Sequence, residues 1–195
     1  MNALKKLSFC TLLSLGLFAQ TAHAESFSDI ADYPSWLKVN FFKHDHYLNQ
    51  YIGSAIIVKE KDDFYSNYIL YDDKLPPEKN AEEVAFLRAK MNAYSALEVV
   101  LVTKKKKVRE RIYNAFQDKE KSINNLFRVV DFLVSKSILA KRFVDAINHR
   151  VYVMVQFPFI QPKDLIAYFK AKRIDLSLAS ATNLSALLNK TLFHI

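Results

Sequence analysis

From Asn80 to Leu97, alanine recurs every four residues at Ala81, Ala85, Ala89 and Ala93, and Ala96 continues the row one step early. Positions four apart on a helix stand almost above one another, so the spacing predicts a helix with a stripe of methyl groups down one face. A stripe this small suits a helix lying close on a sheet, because no bulky side chain holds the two backbones apart. Pro76 and Pro77 keep a helix from running in from upstream. Asn80, with Glu83 three residues on, reads as a capping box at the start.

The flanking pattern supplies partners for that helix. Tyr51 to Val58 is a β-branched, apolar run of strand length. Gly53 in its middle would let another backbone approach closely. Residues 59–79 separate this run from the striped helix, and Phe64 to Tyr71 within them reads as an inserted β segment, because a structureless loop of that length is unusual. After the stripe, Glu98 to Thr103 has strand propensity, although the helix can equally run on into it.

From Asp118 to Lys136 the period is helical, with Ile123, Leu126, Phe127, Val130, Leu133 and Val134 on one face. A hairpin follows: Ile138 to Val144, a turn over Asp145 to His149, then Arg150 to Phe157. In the second arm Val151, Val153, Val155 and Phe157 alternate with Tyr152, Met154 and Gln156, the cleanest period-two signal in the chain. Pro158 and Pro162 end it. Pro162 to Lys172 and Leu184 to Phe193 read as short helices. These signals predict an α+β fold: a small antiparallel sheet with two main helices on one face over residues 34–161, and a C-terminal helical extension over 162–195.

The first 24 residues change the setting. Lys5 and Lys6 precede a mostly apolar run from Leu7 to Ala19, and Ala22-His23-Ala24 supplies a small-x-small cleavage pattern. This is an export signal, too short to cross ~30 Å of hydrocarbon comfortably. It places the mature protein, from Glu25, in the periplasm, at the outer-membrane periphery or secreted. Residues 25–33 read as a flexible leader. Cys10, the only cysteine, lies inside the signal, so the mature chain has no thiol for a disulfide, a nucleophile or a metal. Lys5 and Lys6 are the signal's only formal charges, so its removal takes the net charge from +8 to +6. An exported basic protein meets anionic lipid head groups and polysaccharide sooner than nucleic acid.

Candidate chemistry is sparse. The two glycines, Gly16 and Gly53, leave no phosphate loop, dinucleotide fingerprint or nucleophile elbow, and no cofactor is expected. Turns must be built from Asp, Asn and Pro. Trp36 reads as a plug at the core edge or a ligand platform. His44 and His46, two apart around Asp45, could share a strand face and hold zinc with a third ligand from His149 or His194, but more often mark a polar exposed segment. Asp62-Asp63 and Asp72-Asp73 have the look of paired glycosidase acids, yet doublets beside lysines are usually turn residues. The densest charge is Lys104, Lys105, Lys106 and Lys107 with Arg109 and Arg111. It is either a patch for membrane or polyanion, or a solvated edge whose lysines blunt strand pairing.

The order Pro34-Ser35-Trp36, Tyr51-Ile52-Gly53-Ser54-Ala55, the alanine-striped helix, a second amphipathic helix and the hairpin ending Val151-Tyr152-Val153-Met154-Val155 resembles an envelope family. This is the twenty-kilodalton membrane-associated lipoprotein family, whose fold is shared by the N-terminal domain of the flagellar outer-ring protein T. The similarity covers residues 34 to 157. The chain departs from the pattern in lacking a lipobox, in the 59–79 insertion and in the segment after Pro162. The resemblance implies a small α+β domain without catalytic residues, acting as a scaffold or assembly component among envelope proteins. The expected function is thus a non-enzymatic envelope component; the alternative is a basic module binding anionic lipid or polysaccharide. Oligomeric state is left open by the sequence.

Overall fold

A computed structural model describes residues 33–40, 48–58, 72, 74–117 and 121–193. The export signal, His44 and His46, Asp62-Asp63 with Asp73, and the Phe64–Tyr71 segment lie outside the described residues. The chain divides into two units, Met1–Val39 and Asn40–Ile195. Helix α1 (Ser35–Asn40) starts just after Pro34, whose carbonyl accepts from the Leu37 N–H at 2.9 Å. Leu37 is buried and Trp36 half-buried.

The second unit runs β1 (Gln50–Ile56), α2 (Pro77–Glu98), a π-helical stretch (Val99–Lys104), α3 (Lys106–Ala115), α4 (Ile123–Lys136), β2 (Ile138–Asp145), β3 (Arg150–Gln156), α5 (Pro162–Ala171) and α6 (Leu178–Phe193). The strands form one antiparallel sheet in the order β1-β3-β2. The hairpin falls where the alternation places it. Its turn is built on Asp145, whose Oδ1 accepts from the N–H groups of Ile147 and Asn148 at 3.1 and 2.9 Å. With no glycine available, His149 takes the left-handed position there (φ 49°), and Gln117 and Arg173 take the corresponding positions after α3 and α5.

The alanine stripe meets the sheet as its spacing requires. Ala81, Ala85, Ala89 and Ala93 are all at most 1% exposed. Ala96 is half-buried, and Leu97 takes the next buried position. Gly53 of β1, paired with Val153, lies directly beneath. A Cβ added to it would overlap the Ala85 carbonyl oxygen and the Ala89 nitrogen and stand 3.0 Å from the Ala89 Cα. Helix and strand therefore touch backbone to backbone. Ala55, Val151, Val153 and Val155 complete this layer. On the opposite face Met154 and Tyr152 are buried too, so β3 is covered on both sides.

The start of α2 differs from the capping box expected at Asn80. Pro77 supplies the first helical residue, as its fixed φ and missing N–H favour. Asn80 is therefore inside the helix, buried, and faces back to the incoming loop. Its Oδ1 accepts from the Asp72 N–H at 2.8 Å, and its Nδ2 donates to the Asp72 and Leu75 carbonyls at 2.9 and 3.1 Å. Glu83 is exposed. Past Glu98 the helix continues, loosened into the π-helical stretch, and Val99–Thr103 forms no strand.

The last third of α2 enters a second, helical core. Leu97, Leu101, Ile112, Leu126, Phe132, Leu165, Phe169 and Leu188 share it. Helix α4 begins at Ile123, where Ser122 Oγ accepts from the Asn124 N–H at 3.3 Å. It buries Val129 and Phe132 beside Leu126, Val130 and Leu133 and leaves Ile123 exposed, so its inner face is turned from the expected one. The helices after Pro162 form the C-terminal helical segment and pack into this same core, within the same compact unit. Asn189 of α6 pins the chain leaving β3: its Oδ1 accepts from the Ile160 N–H at 2.8 Å, and its Nδ2 donates to the Ile160 carbonyl at 2.9 Å.

Both rims of the sheet are guarded. The antiparallel pairing aims the backbone groups of Ile52 and Ser54 away from β3. Their carbonyls accept from α2: Arg88 Nη1 donates to Ser54 at 2.8 Å and Asn92 Nδ2 to Ile52 at 2.8 Å. At the other rim, β2 carries a bulge between Leu139 and Lys141 and two adjacent cations, Lys141 and Arg142. Arg142 ties this rim to the start of α2, donating from Nε to Glu82 at 2.6 Å and from Nη2 to Glu78.

Candidate anion-binding corner

The basic cluster occupies the junction between the π-helical stretch and α3. Lys105 breaks the helical path (φ −102°, ψ 73°), and its N–H reaches back to the Val100 carbonyl at 3.0 Å. Helix α3 restarts at Lys106, where its axis turns. The Lys105 carbonyl accepts from Val108 and Arg109, both at 3.0 Å. No side chain caps this helix start, and its first turn holds no acidic residue. The lysine-blunted strand edge is thus not what these residues form; the cations open a helix.

Charge is placed here against the grain of the helix. The N-terminal end carries partial positive charge, so each cation in the first turn costs roughly 0.3–1 kcal/mol. Lys106 and Lys107 are exposed, and Lys105 is half-buried. Lys107 and Arg111 stand four apart on the exposed face, a like-charge pair that repels. Arg109 turns away from this group: it is half-buried and donates from Nη1 to the Val102 carbonyl, satisfying the end of the π-helical stretch. It is a structural residue. Lys104 belongs to that stretch by its backbone.

The acid in α3, Glu110, is engaged. Lys121 lies 3.0 Å from its carboxylate, and that hydrogen bond, with Arg109 and Lys106 nearby, holds the carboxyl below its ordinary range. The corner therefore presents Lys105, Lys106, Lys107 and Arg111 as cations that make no contact ion pair with a described carboxylate, Glu110 acting on Lys106 only through its charge. Such a group suits a multivalent anion, whose binding would relieve the repulsion along α3. Sequence reasoning found these residues but not the helix. The signal was the spacing of Val108 and Ile112, masked by the charge around it.

Two other places bear on chemistry. A half-open groove of about 390 Å³ lies among the end of α3, α5 and the start of α6, with Phe116, Ile166 and Ile174 below and Lys170, Asp175 and Ser177 at its rim. Among the described residues, no group of three His, Cys, Asp or Glu side chains is gathered to hold a metal ion. No described helix is long and apolar enough to cross a membrane. Compared with protein-family models the chain matches none, and a search of the curated proteins found no match.

Proposed function

We propose that this chain is an exported, non-enzymatic component of the cell envelope, in the periplasm or at the outer-membrane periphery, and that it works by binding. The export signal and the family resemblance support the compartment and the structural or assembly role. The observation that carries the binding reading is the corner at the start of α3, where Lys105, Lys106 and Lys107 crowd an uncapped helix end without an acid in its first turn and Arg111 follows one turn on. The ligand class is anionic lipid or anionic polysaccharide. Attraction of this kind between exposed charges is screened over ~8–10 Å at physiological salt.

The test is binding of the full chain to dextran sulfate and to vesicles containing phosphatidylglycerol, across a salt series. Affinity should fall steeply with salt. Lys105→Glu/Lys106→Glu/Lys107→Glu should lose both interactions while keeping its helical circular dichroism. Unchanged binding by this variant would remove the reading. For the assembly role, crosslinking in the envelope should capture a defined protein complex; a chain that meets no partner there counts against it.

A further inference from the structure

Helix α2 is apolar on two opposite sides, and only one of them is used by the fold. The buried row steps by four through Ala81, Ala85, Ala89, Ala93 and Leu97. A second row also steps by four: Leu87, Met91, Ser95 and Val99. It is offset from the first by two residues, about 200° around the axis, so it faces away from the sheet. Leu87, Met91 and Val99 are 42%, 52% and 45% exposed. A helix resting on a sheet normally carries polar residues on that outer side. Single exposed apolar residues are ordinary, but three in one row, interrupted only by the small Ser95, make a surface.

What the row leads to indicates what covers it. Val99 opens the π-helical stretch that closes at Lys104, so the row runs along the chain into the basic corner six residues on. Lys90 flanks the row, its Nζ 4.6 Å from the centroid of the Phe86 ring, and Glu83 and Glu98 are the acids beside it. A hydrated polysaccharide offers cations a partner but offers Leu87, Met91 and Val99 no apolar medium. A second copy of this chain offers the apolar row but brings a second set of lysines to the same contact. An anionic bilayer satisfies both features: apolar side chains enter the acyl boundary while lysines hold the head groups.

We infer that the outer face of α2, from Leu87 to Val99, with Lys105–Lys107 at its end, docks on an anionic bilayer surface. The inference rests on the basic-corner reading and narrows its ligand to lipid. The cations supply the salt-dependent attraction and the row supplies a salt-insensitive part.

The experiment compares three forms of the full chain: the parent, Leu87→Ser/Met91→Ser/Val99→Ser, and Lys105→Glu/Lys106→Glu/Lys107→Glu. The replaced apolar side chains are partly exposed, and thermal unfolding checks that the fold is retained. The serine variant should bind dextran sulfate as the parent does and phosphatidylglycerol vesicles about tenfold or more weakly. A second form, Cys10→Ser/Met91→Cys, carries an environment-sensitive dye at residue 91. Its emission should shift to the blue on vesicles and not on dextran sulfate. Vesicle binding by the serine variant equal to the parent's, or a dye that stays in water on the vesicle, would overturn the inference while leaving the corner intact. Loss of a dimer in the serine variant, with vesicle affinity unchanged, would overturn it in favour of a second copy. Binding by the glutamate variant equal to the parent's on both ligands would remove the corner itself.

Discussion

A methyl group at residue 53 has nowhere to go. The atoms it would meet are the backbone of Ala85 and Ala89, not the far end of a flexible side chain, so either the helix lifts or the strand bends. Gly53→Ala should cost about 3 kcal/mol, at the upper end for overpacking, read as a lower urea midpoint with an unchanged slope. A midpoint unchanged from the parent would mean that α2 does not rest on β1. Tyr51, two residues earlier, makes an opposite prediction. Its ring meets Phe157 edge-on at 5.8 Å, and its hydroxyl is buried without a hydrogen-bond partner among the described residues. Tyr51→Phe removes an unsatisfied donor from the same volume and should stabilise by about 1 kcal/mol. Burial raises the phenol well above its ordinary value, so the folded state keeps the proton. Stability from this group is complete below pH about 10 and declines as pH rises beyond it, because only the unfolded chain then ionises readily. Alkaline unfolding curves of Tyr51→Phe should be flatter than the parent's.

Elements differ in how openly the residues declare them. The alanine row and Gly53 were legible because close packing of two backbones has few solutions, and β3 because valines alternate without interruption. Asn80 misled: its side chain can cap a helix or brace a loop, and Pro77 had already settled where the helix begins. Helix α3 was hidden because lysines crowd its first turn, where helices ordinarily place acids. The basic corner was thus readable as residues but not as a helix end. The tie between β2 and α2 was not legible at all, since Arg142 lies 60 and 64 residues from its acids. Burial opposes ionisation of Glu82, but hydrogen bonds from Lys79 and Arg142 outweigh it and hold its carboxyl below the ordinary range. A lowered carboxyl stabilises the fold above its unfolded value, about 4.3, and that contribution fades as pH falls below it. Arg142→Met should reduce the stability lost between pH about 5 and 3, measured by urea midpoints. An identical pH profile would show that the tie is not formed in solution.

Among the described residues, the unit Asn40–Ile195 has two cores joined along one helix: a thin layer between α2 and the sheet, and a thicker helical one that α5 and α6 complete. Residues after Pro162 looked like an addition because their period restarts after a proline break, and a break in pattern resembles a boundary. These helices nonetheless pack into the helical core. Removing residues 162–195 would strip Leu165, Phe169, Leu184, Leu188 and Leu192 from the core they share with Phe132 and Leu97. The truncated chain should lose cooperative thermal unfolding and bind hydrophobic dyes; a sharp transition from it would restore the separate-extension reading.

The guarded rims of the sheet have a consequence for how such a chain can be used. Arg88 and Asn92 cover one border, and a bulge with two cations interrupts the other, so further strands find no regular template on either side. Crowded copies of such a sheet are hindered from fusing into ribbons through either described border. Among the described residues, the surfaces left for larger order are those of the helices rather than the strand borders.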